Sequence, residues 1–337
     1  MNRIRLIFFP FAILYTIITS VRNSLFNLKF YKSKKFKIPL IGVGNLSTGG
    51  TGKTPMVEYI FKVFSKEFKL ALLSRGFKRS TKGYVKANKD SNSSNIGDEP
   101  FQIFSKFKNI DVAVDENRVR GVLNLLKHSK NLQSIVLDDC FQHRSVSLKL
   151  NILLTTYESP YYKDFILPIG NLRELRAGYK RADVIIVTKC PKDLLEEEMK
   201  KTRKDVSLKS HQNLFFTSIK YNNFLLGESE ININDLSDSK VLLVTGIAND
   251  KEIVNYLSYK NIQFDKISFS DHYKYSLKDI KKIELDFSDR IIITTEKDYQ
   301  KIKLIDKKNK WYYLQMETYF LENEDLFKKI IIDTIIK

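Results

Sequence analysis

The run Ser47-Thr48-Gly49-Gly50-Thr51-Gly52-Lys53-Thr54 follows the apolar segment IPLIGV (38–43) and precedes a helix-length segment, 54–67. A strand, a glycine-rich turn and a helix start in that order make a phosphate cradle, because backbone N–H groups and the helix N-terminus converge on phosphate oxygens. In this reading Lys53 bridges the β- and γ-phosphates of a nucleotide, and the Thr54 hydroxyl holds Mg²⁺. The strict pattern opens on Gly where this chain has Ser47, and the Gly49-Gly50 pair supplies the tight turn instead. A metal shell also needs an acid at a strand end. SIVLDDC delivers Asp138 and Asp139 there, where open α/β sheets place their ligands. Guanine-specific loops end a strand with Asn/Thr-Lys-x-Asp, and Thr188-Lys189-Cys190-Pro191 lacks the Asp, so ATP is the expected nucleotide.

Fifty-seven Lys and Arg against 39 Asp and Glu leave a net charge of +18, a field that favours polyanions: nucleic acid, anionic head groups or phosphorylated substrates. Arg75 follows the run KLALLS, Arg118 and Arg120 open a helix-length segment, and Arg173 stands beside Glu174. Guanidinium forks of this kind match phosphate oxygens and stabilise charge in a loose transition state. Two cysteines, Cys140 and Cys190, give neither a disulfide framework nor a four-ligand zinc site, and they suit a reducing compartment.

The elements that must position these groups are legible as short apolar runs alternating with amphipathic segments. Strands are expected at 38–43, 69–74, 110–114, 134–138, 150–155 and 183–188, and near-continuous Val/Ile/Leu marks strands buried on both faces. The segments 54–67, 116–129 and 192–204 have the length of crossover helices, which gives a P-loop-like, doubly wound, mostly parallel α/β sheet. A second, smaller α/β series is expected from 240–245, 265–269 and 290–295, with HQNLFFTSIKYNNFLLG as a pair of extended strands between the two. The expected units are 1–28, a membrane-associated helix; 29–215, the nucleotide core; 216–238, an extended linker; and 239–337, the smaller unit. LIFFPFAILYTIITSV (6–21) is short for a spanning helix but sits between basic residues, and the first 40 residues hold no acid, which suits anionic lipid.

Nine motifs in register carry a resemblance: GNLSTGGTGKTP (44–55), SRGFKR (74–79), GDEP (97–100), DENR (115–118), LDDCFQH (137–143), LPIGNLRE (167–174), VTGIAN (244–249), SDHY (270–273) and TEKD (295–298). Together they resemble the tetraacyldisaccharide 4′-kinase family of lipid A biosynthesis. The resemblance implies transfer of the ATP γ-phosphoryl to the 4′-hydroxyl of an acylated glucosamine disaccharide 1-phosphate, by a monomer at the cytoplasmic face of the inner membrane, with no nucleic acid partner. It implies a catalytic pair at Asp98 and His272, with Lys53, Asp138, Asp139, Arg173 and Glu174 also in the catalytic machinery. It places Arg75, Arg118, Arg120 and His143 on the substrate side. Two departures stand out: Cys140 where the family has Gly at the Asp-Asp turn, and Asn171 where it commonly has Pro.

Two other classes compete. A nucleotide switch or metal-insertion ATPase shares the GGTGKT loop, but Cys140, Cys190 and His143 have no ligand-like spacing. A basic nucleic-acid-binding module would interleave Lys/Arg with exposed aromatics on one element, whereas lysines here are spread along the chain.

Overall fold

The structure is a computed structural model that describes residues 3–337; the first two residues of the expected N-terminal unit lie outside the described residues. The apolar runs become β1 (Leu40–Asn45), β2 (Leu70–Ser74), β3 (Val85–Lys86), β4 (Asp111–Val114), β5 (Ser134–Asp138), β6 (Leu150–Thr156) and β7 (Val184–Thr188). Every residue of β1, β2, β5 and β7 is buried, as both-face coverage by helices requires. The helices of this half are α1 (Phe9–Asn27), α2 (Lys53–Phe64), α3 (Ser93–Ile96), α4 (Asp98–Lys106), α5 (Arg118–His128) and α6 (Glu196–Val206).

The later elements are β8 (Asn213–Leu226), β9 (Glu230–Asn232), β10 (Val241–Thr245), α7 (Lys251–Tyr259), β11 (Phe264–Ser268), α8 (Leu277–Asp286), β12 (Ile291–Thr295), α9 (Glu296–Ile305), β13 (Trp311–Phe320) and α10 (Glu324–Ile336). All strands join one 13-stranded mixed sheet, in the order β11-β10-β12-β13-β8-β7-β6-β1-β5-β2-β4-β3 with β9 attached to β8. The mostly parallel α/β class expected from the residues is observed, with antiparallel pairing confined to β8–β13, β3–β4 and β8–β9.

The join between the two series is not a loop. β8 runs parallel to β7 through Asn213–Phe216, then antiparallel to β13 from Thr217 to Leu226, so a single strand belongs to both halves of the sheet. The expected boundary at 215/216 therefore falls inside β8. β13 then carries the chain back, and α10 lies on the nucleotide half: Phe327, Ile331 and Ile335 share one core cluster with Val57, Ile60 and Phe61 of α2 and Phe215 of β8. Residues 324–336 were expected with the smaller unit, and their apolar face instead fills the groove beside α2.

On α1, Ala12 and Thr19 are buried, and the Tyr15 hydroxyl donates to the Arg173 carbonyl oxygen at 2.9 Å while Asn23 Nδ2 donates to Glu174 Oε2 at 2.7 Å. Steps of three and four residues put these four on one face. The rest of the helix presents Phe9, Phe11, Ile13, Leu14, Ile17, Ile18 and Val21 to the exterior. It is the one helix among the described residues long and apolar enough to cross a membrane, which makes it a candidate anchor.

Candidate active site

The turn between β1 and α2 is held from three sides. Asn45 Nδ2 donates to Thr51 Oγ1 at 2.8 Å, the Thr188 hydroxyl donates to the Thr51 carbonyl at 2.9 Å, and the Thr48 N–H donates to the Asn171 carbonyl at 2.7 Å. Gly49 (φ +99°) and Gly52 (φ +83°) take backbone conformations that side-chain-bearing residues rarely adopt, and a Cβ on Gly49 or Gly50 would meet nothing within 4 Å. Ser47 is buried at the loop entrance, and Lys53 and Thr54 open α2 with their backbone aimed at the loop. Ser47 in place of Gly leaves this geometry intact.

At the end of β5 the two aspartates differ. Asp138 is 3% exposed; its Oδ2 accepts from the Ser74 hydroxyl at 3.2 Å, and its Oδ1 has no partner. Burial, then the charges of Glu99 and Asp139, push its carboxyl up to about 7 against the pull of Lys53 and Arg118. Asp139 lies between cations, 3.6 Å from Lys53 Nζ and accepting from Arg173 Nη1 at 2.8 and 3.0 Å. Burial raises its carboxyl, but Lys53 and Arg173 outweigh that and hold it below the usual range. Asp139 itself turns the chain in the left-handed region (φ +45°), so Cys140 needs no glycine-like freedom; its thiol is buried where a Cβ on Gly42 would meet Sγ at 2.7 Å.

An orphaned, buried carboxylate oxygen beside a helix N-terminus carrying a threonine fits a divalent cation whose remaining ligands are phosphate oxygens and water, the way Mg²⁺ is usually held. Among the described residues no group of three His, Cys, Asp or Glu forms a closed all-protein metal cage.

Asp98 is the first residue of α4, and its Oδ2 is 2.9 Å from His272 Nδ1. His272 arrives from a left-handed backbone (φ +62°), a costly conformation for a residue with a Cβ. Two lysines of α9 close the cluster: Lys301 Nζ is 3.6 Å and Lys297 Nζ 3.8 Å from the same carboxylate oxygen. Burial raises the Asp98 carboxyl, and the His272 hydrogen bond, Lys301 and Lys297 together bring it below the ordinary value. It is thus an ionised acceptor with a cationic surround.

The substrate-side residues separate. Arg118 is 1% exposed and donates to the carbonyl oxygens of Asp115 at 2.6 Å and Asp138 at 3.2 Å, with Nε unpartnered. Arg120 forks onto buried Asp115 at 2.7 and 2.9 Å. Arg75 is exposed past the end of β2. His143 lines a cavity of about 420 Å³ with Glu116, Asn117, Arg118, Val119 and Ser145. Glu174 is fully buried, its Oε1 accepting from Gln142 at 3.1 Å and Arg181 at 2.8 Å and its Oε2 from Asn23, so both oxygens are taken within the protein.

The model of the tetraacyldisaccharide-1-P 4′-kinase family matches residues 4–335. The chain belongs to that family. A tetraacyldisaccharide 4′-kinase of Flavobacterium johnsoniae is 44% identical, covering 99% of this chain and 98% of its own. One of Bacteroides thetaiotaomicron is 39% identical over 96% of this chain and 91% of its own. The crystal structure of LpxK from Aquifex aeolicus in complex with ATP superposes with a TM-score of 0.79 at 30% identity, covering 98% of this chain and 99% of that one. As a member of the 4′-kinase family the chain is an enzyme, a phosphotransferase of lipid A biosynthesis.

Within this 4′-kinase fold, residue-by-residue reading missed Glu99, Lys297 and Lys301. Glu99 and Lys297 lie inside the GDEP and TEKD motifs, so their signal was present; Lys301 follows Lys297 by one helical turn.

Proposed function

We propose that this kinase transfers the γ-phosphoryl of ATP to the 4′-hydroxyl of tetraacyldisaccharide 1-phosphate, with Asp98 accepting the hydroxyl proton as the new O–P bond forms and the bond from the γ-phosphorus to the bridging oxygen breaks, releasing ADP. The observation that carries this reading is the hydrogen bond between Asp98 and His272, made at the start of a helix whose next residue, Glu99, acts electrostatically on Asp138 beside the phosphate cradle. A sugar hydroxyl is a poor nucleophile, and a carboxylate held ionised and oriented by an imidazole accepts its proton late in a loose transition state.

In this reading the N–H groups of 47–54 and Lys53 hold the β- and γ-phosphates. Thr54 and Asp138, with Asp139 behind them, hold Mg²⁺, which neutralises charge on the phosphates when bound. Arg173 aligns Asp139 with Lys53, and Glu174 positions Arg173 through α1 and Gln142. Arg118 braces the Asp138 backbone, whereas Arg75, Arg120 and His143 lie toward the disaccharide phosphate. The division into a core and a smaller unit, with closure of one over the other, is part of the proposal. So is action as a monomer at the cytoplasmic face of the inner membrane, with the exposed face of α1 on lipid and no nucleic acid partner.

The test is incubation of the purified chain with Mg-ATP and tetraacyldisaccharide 1-phosphate in detergent micelles, followed by mass spectrometry. A product heavier by one phosphoryl group, abolished by Lys53→Ala, is expected. ATP hydrolysis without that product would sink the substrate assignment and leave only the nucleotide site.

A further inference from the structure

Asp98, Gln102 and Lys106 occur at steps of four on α4 and so form one stripe along a nine-residue helix. Each meets a partner outside its own helix. Asp98 faces His272, Lys297 and Lys301. Gln102 Nε2 donates to Glu58 Oε1 of α2 at 2.8 Å. Lys106 Nζ lies between two carboxylates, 2.6 Å from Glu58 Oε2 and 3.0 Å from Glu296 Oε2 at the start of α9. Glu58 is 7% and Glu296 8% exposed, so this is a desolvated three-charge cluster joining the helix of the phosphate cradle, the helix of Asp98 and a helix of the second series.

The partners on α9 run in the opposite order to those on α4: Glu296 meets Lys106 at the last residue of α4, and Lys301 meets Asp98 at the first. α4 is therefore pinned to α9 at both of its ends, in one antiparallel register. Replacing a buried charge cluster by apolar side chains is commonly neutral or stabilising, so net stability is a weak reason to keep one; fixing a unique register is a better attested use. The loop that carries His272 is tied to α9, with Lys297 Nζ 3.5 Å from His272 Nε2 and Lys301 Nζ donating to the Tyr273 carbonyl at 3.1 Å, so the register of α4 on α9 bears on how Asp98 meets the imidazole. Burial and the Glu58 charge push the Glu296 carboxyl up to about 7, against Lys106, which agrees with a site where charge is held at a cost.

We propose that Lys106 is a positioning residue for phosphoryl transfer: it fixes α4 against α9 and α2 at one end so that Asp98 meets His272 at the other. The proposal rests on the kinase reading above for its consequence in turnover, and on the structure alone for the helix register.

Three variants of the full chain, Lys106→Met, Lys106→Arg and Glu296→Ala, test it in detergent micelles. Glu296→Ala severs only the link to α9 and leaves the Lys106–Glu58 and Gln102–Glu58 contacts in place. The expected result is a loss of kcat of about tenfold to a hundredfold in Lys106→Met and Glu296→Ala, the scale set by ångström-level misplacement of reacting groups, with KM for ATP little changed and Lys106→Arg recovering most of the loss. The His272 imidazole resonances, assigned by their disappearance in His272→Gln, should move in both toward their positions in Asp98→Asn. Unmoved His272 resonances in a folded Glu296→Ala chain overturn the register claim, and unchanged kcat overturns the claim on turnover. If Lys106→Met does not fold, Glu296→Ala and Lys106→Arg decide alone. Wild-type chain that makes no product defeats the kinase reading instead, while the resonance comparison still reports on the register.

Discussion

His272 Nδ1 and Asp98 Oδ2 stand 2.9 Å apart although 174 residues separate them in sequence. The contact joins the second α/β series to the first at a carboxylate that Lys297 and Lys301 also approach within 4 Å. Because general-base catalysis contributes about 10²–10⁴-fold, Asp98→Asn should lower kcat by about that factor, and His272→Asn by a smaller one. The double variant should be little worse than Asp98→Asn, since the two act as a unit. Steady-state kinetics on the four chains checks this; additive losses would separate the residues.

His143 should make stability depend on pH in a defined window. Burial, then the Arg118 charge, pushes its imidazole down to about 4, against about 6.5 in an unfolded chain. Between those values the unfolded chain binds a proton that the folded chain does not, so stability falls as pH drops from 6.5 to 4 and the loss levels off below. Relative to wild type, His143→Gln should gain on the order of 2 kcal/mol between pH 7 and 4.5 in urea unfolding. Parallel stability curves for the two chains would contradict the assignment.

The apolar face of α1 and its buried face should respond differently to change. Ile13 and Ile17 are 47% and 53% exposed, so Ile13→Lys with Ile17→Lys should leave the melting temperature in place and weaken binding to vesicles by about tenfold or more. Asn23→Ala removes a donor to the buried Glu174 carboxylate and should cost about 1–3 kcal/mol of stability. Vesicle sedimentation and thermal melts on the same preparations separate the two effects.

Phe327 is fully buried against Tyr59, Phe215 and Phe320, with ring centroids 6.0, 5.5 and 4.8 Å away. Phe327→Ala should cost about 3–5 kcal/mol, as large-to-small changes at aromatic core positions do. Because the contact is with α2, ATP affinity should fall along with the melting temperature; a destabilised chain with unchanged ATP affinity would show that α10 does not support the cradle.

The proposed phosphate cradle was legible because its geometry demands residue types: Gly49 and Gly52 stand at positive φ, and a strand and a helix flank them. The Asp98–His272 pair was not legible from spacing at all. It became so only through the GDEP and SDHY motifs, since long-range pairing leaves no local pattern. Arg118 reads as a phosphate ligand in sequence, yet it is buried and serves carbonyl oxygens, and nothing in composition tells a bracing arginine from a binding one. Nothing in the local pattern around Glu58, Lys106 and Glu296 marks them out; only tertiary contact brings them together and desolvates them. β13 and α10 have no clear sequence signature, because WYYLQMETYF is half-buried along most of its length and because the partner of α10 lies far back in the chain.

The placement of α10 on α2 has a bearing on how the chain matures. Ribosomes deliver Lys53 and Thr54 long before Phe327, Ile331 and Ile335, so a nascent chain can have its ATP loop outside the exit tunnel with the apolar side of α2 still uncovered. Until α10 arrives, that apolar side has no partner from the C-terminal segment. The helix that follows the loop thus gains its apolar cover only after translation has passed both Asp98 and His272.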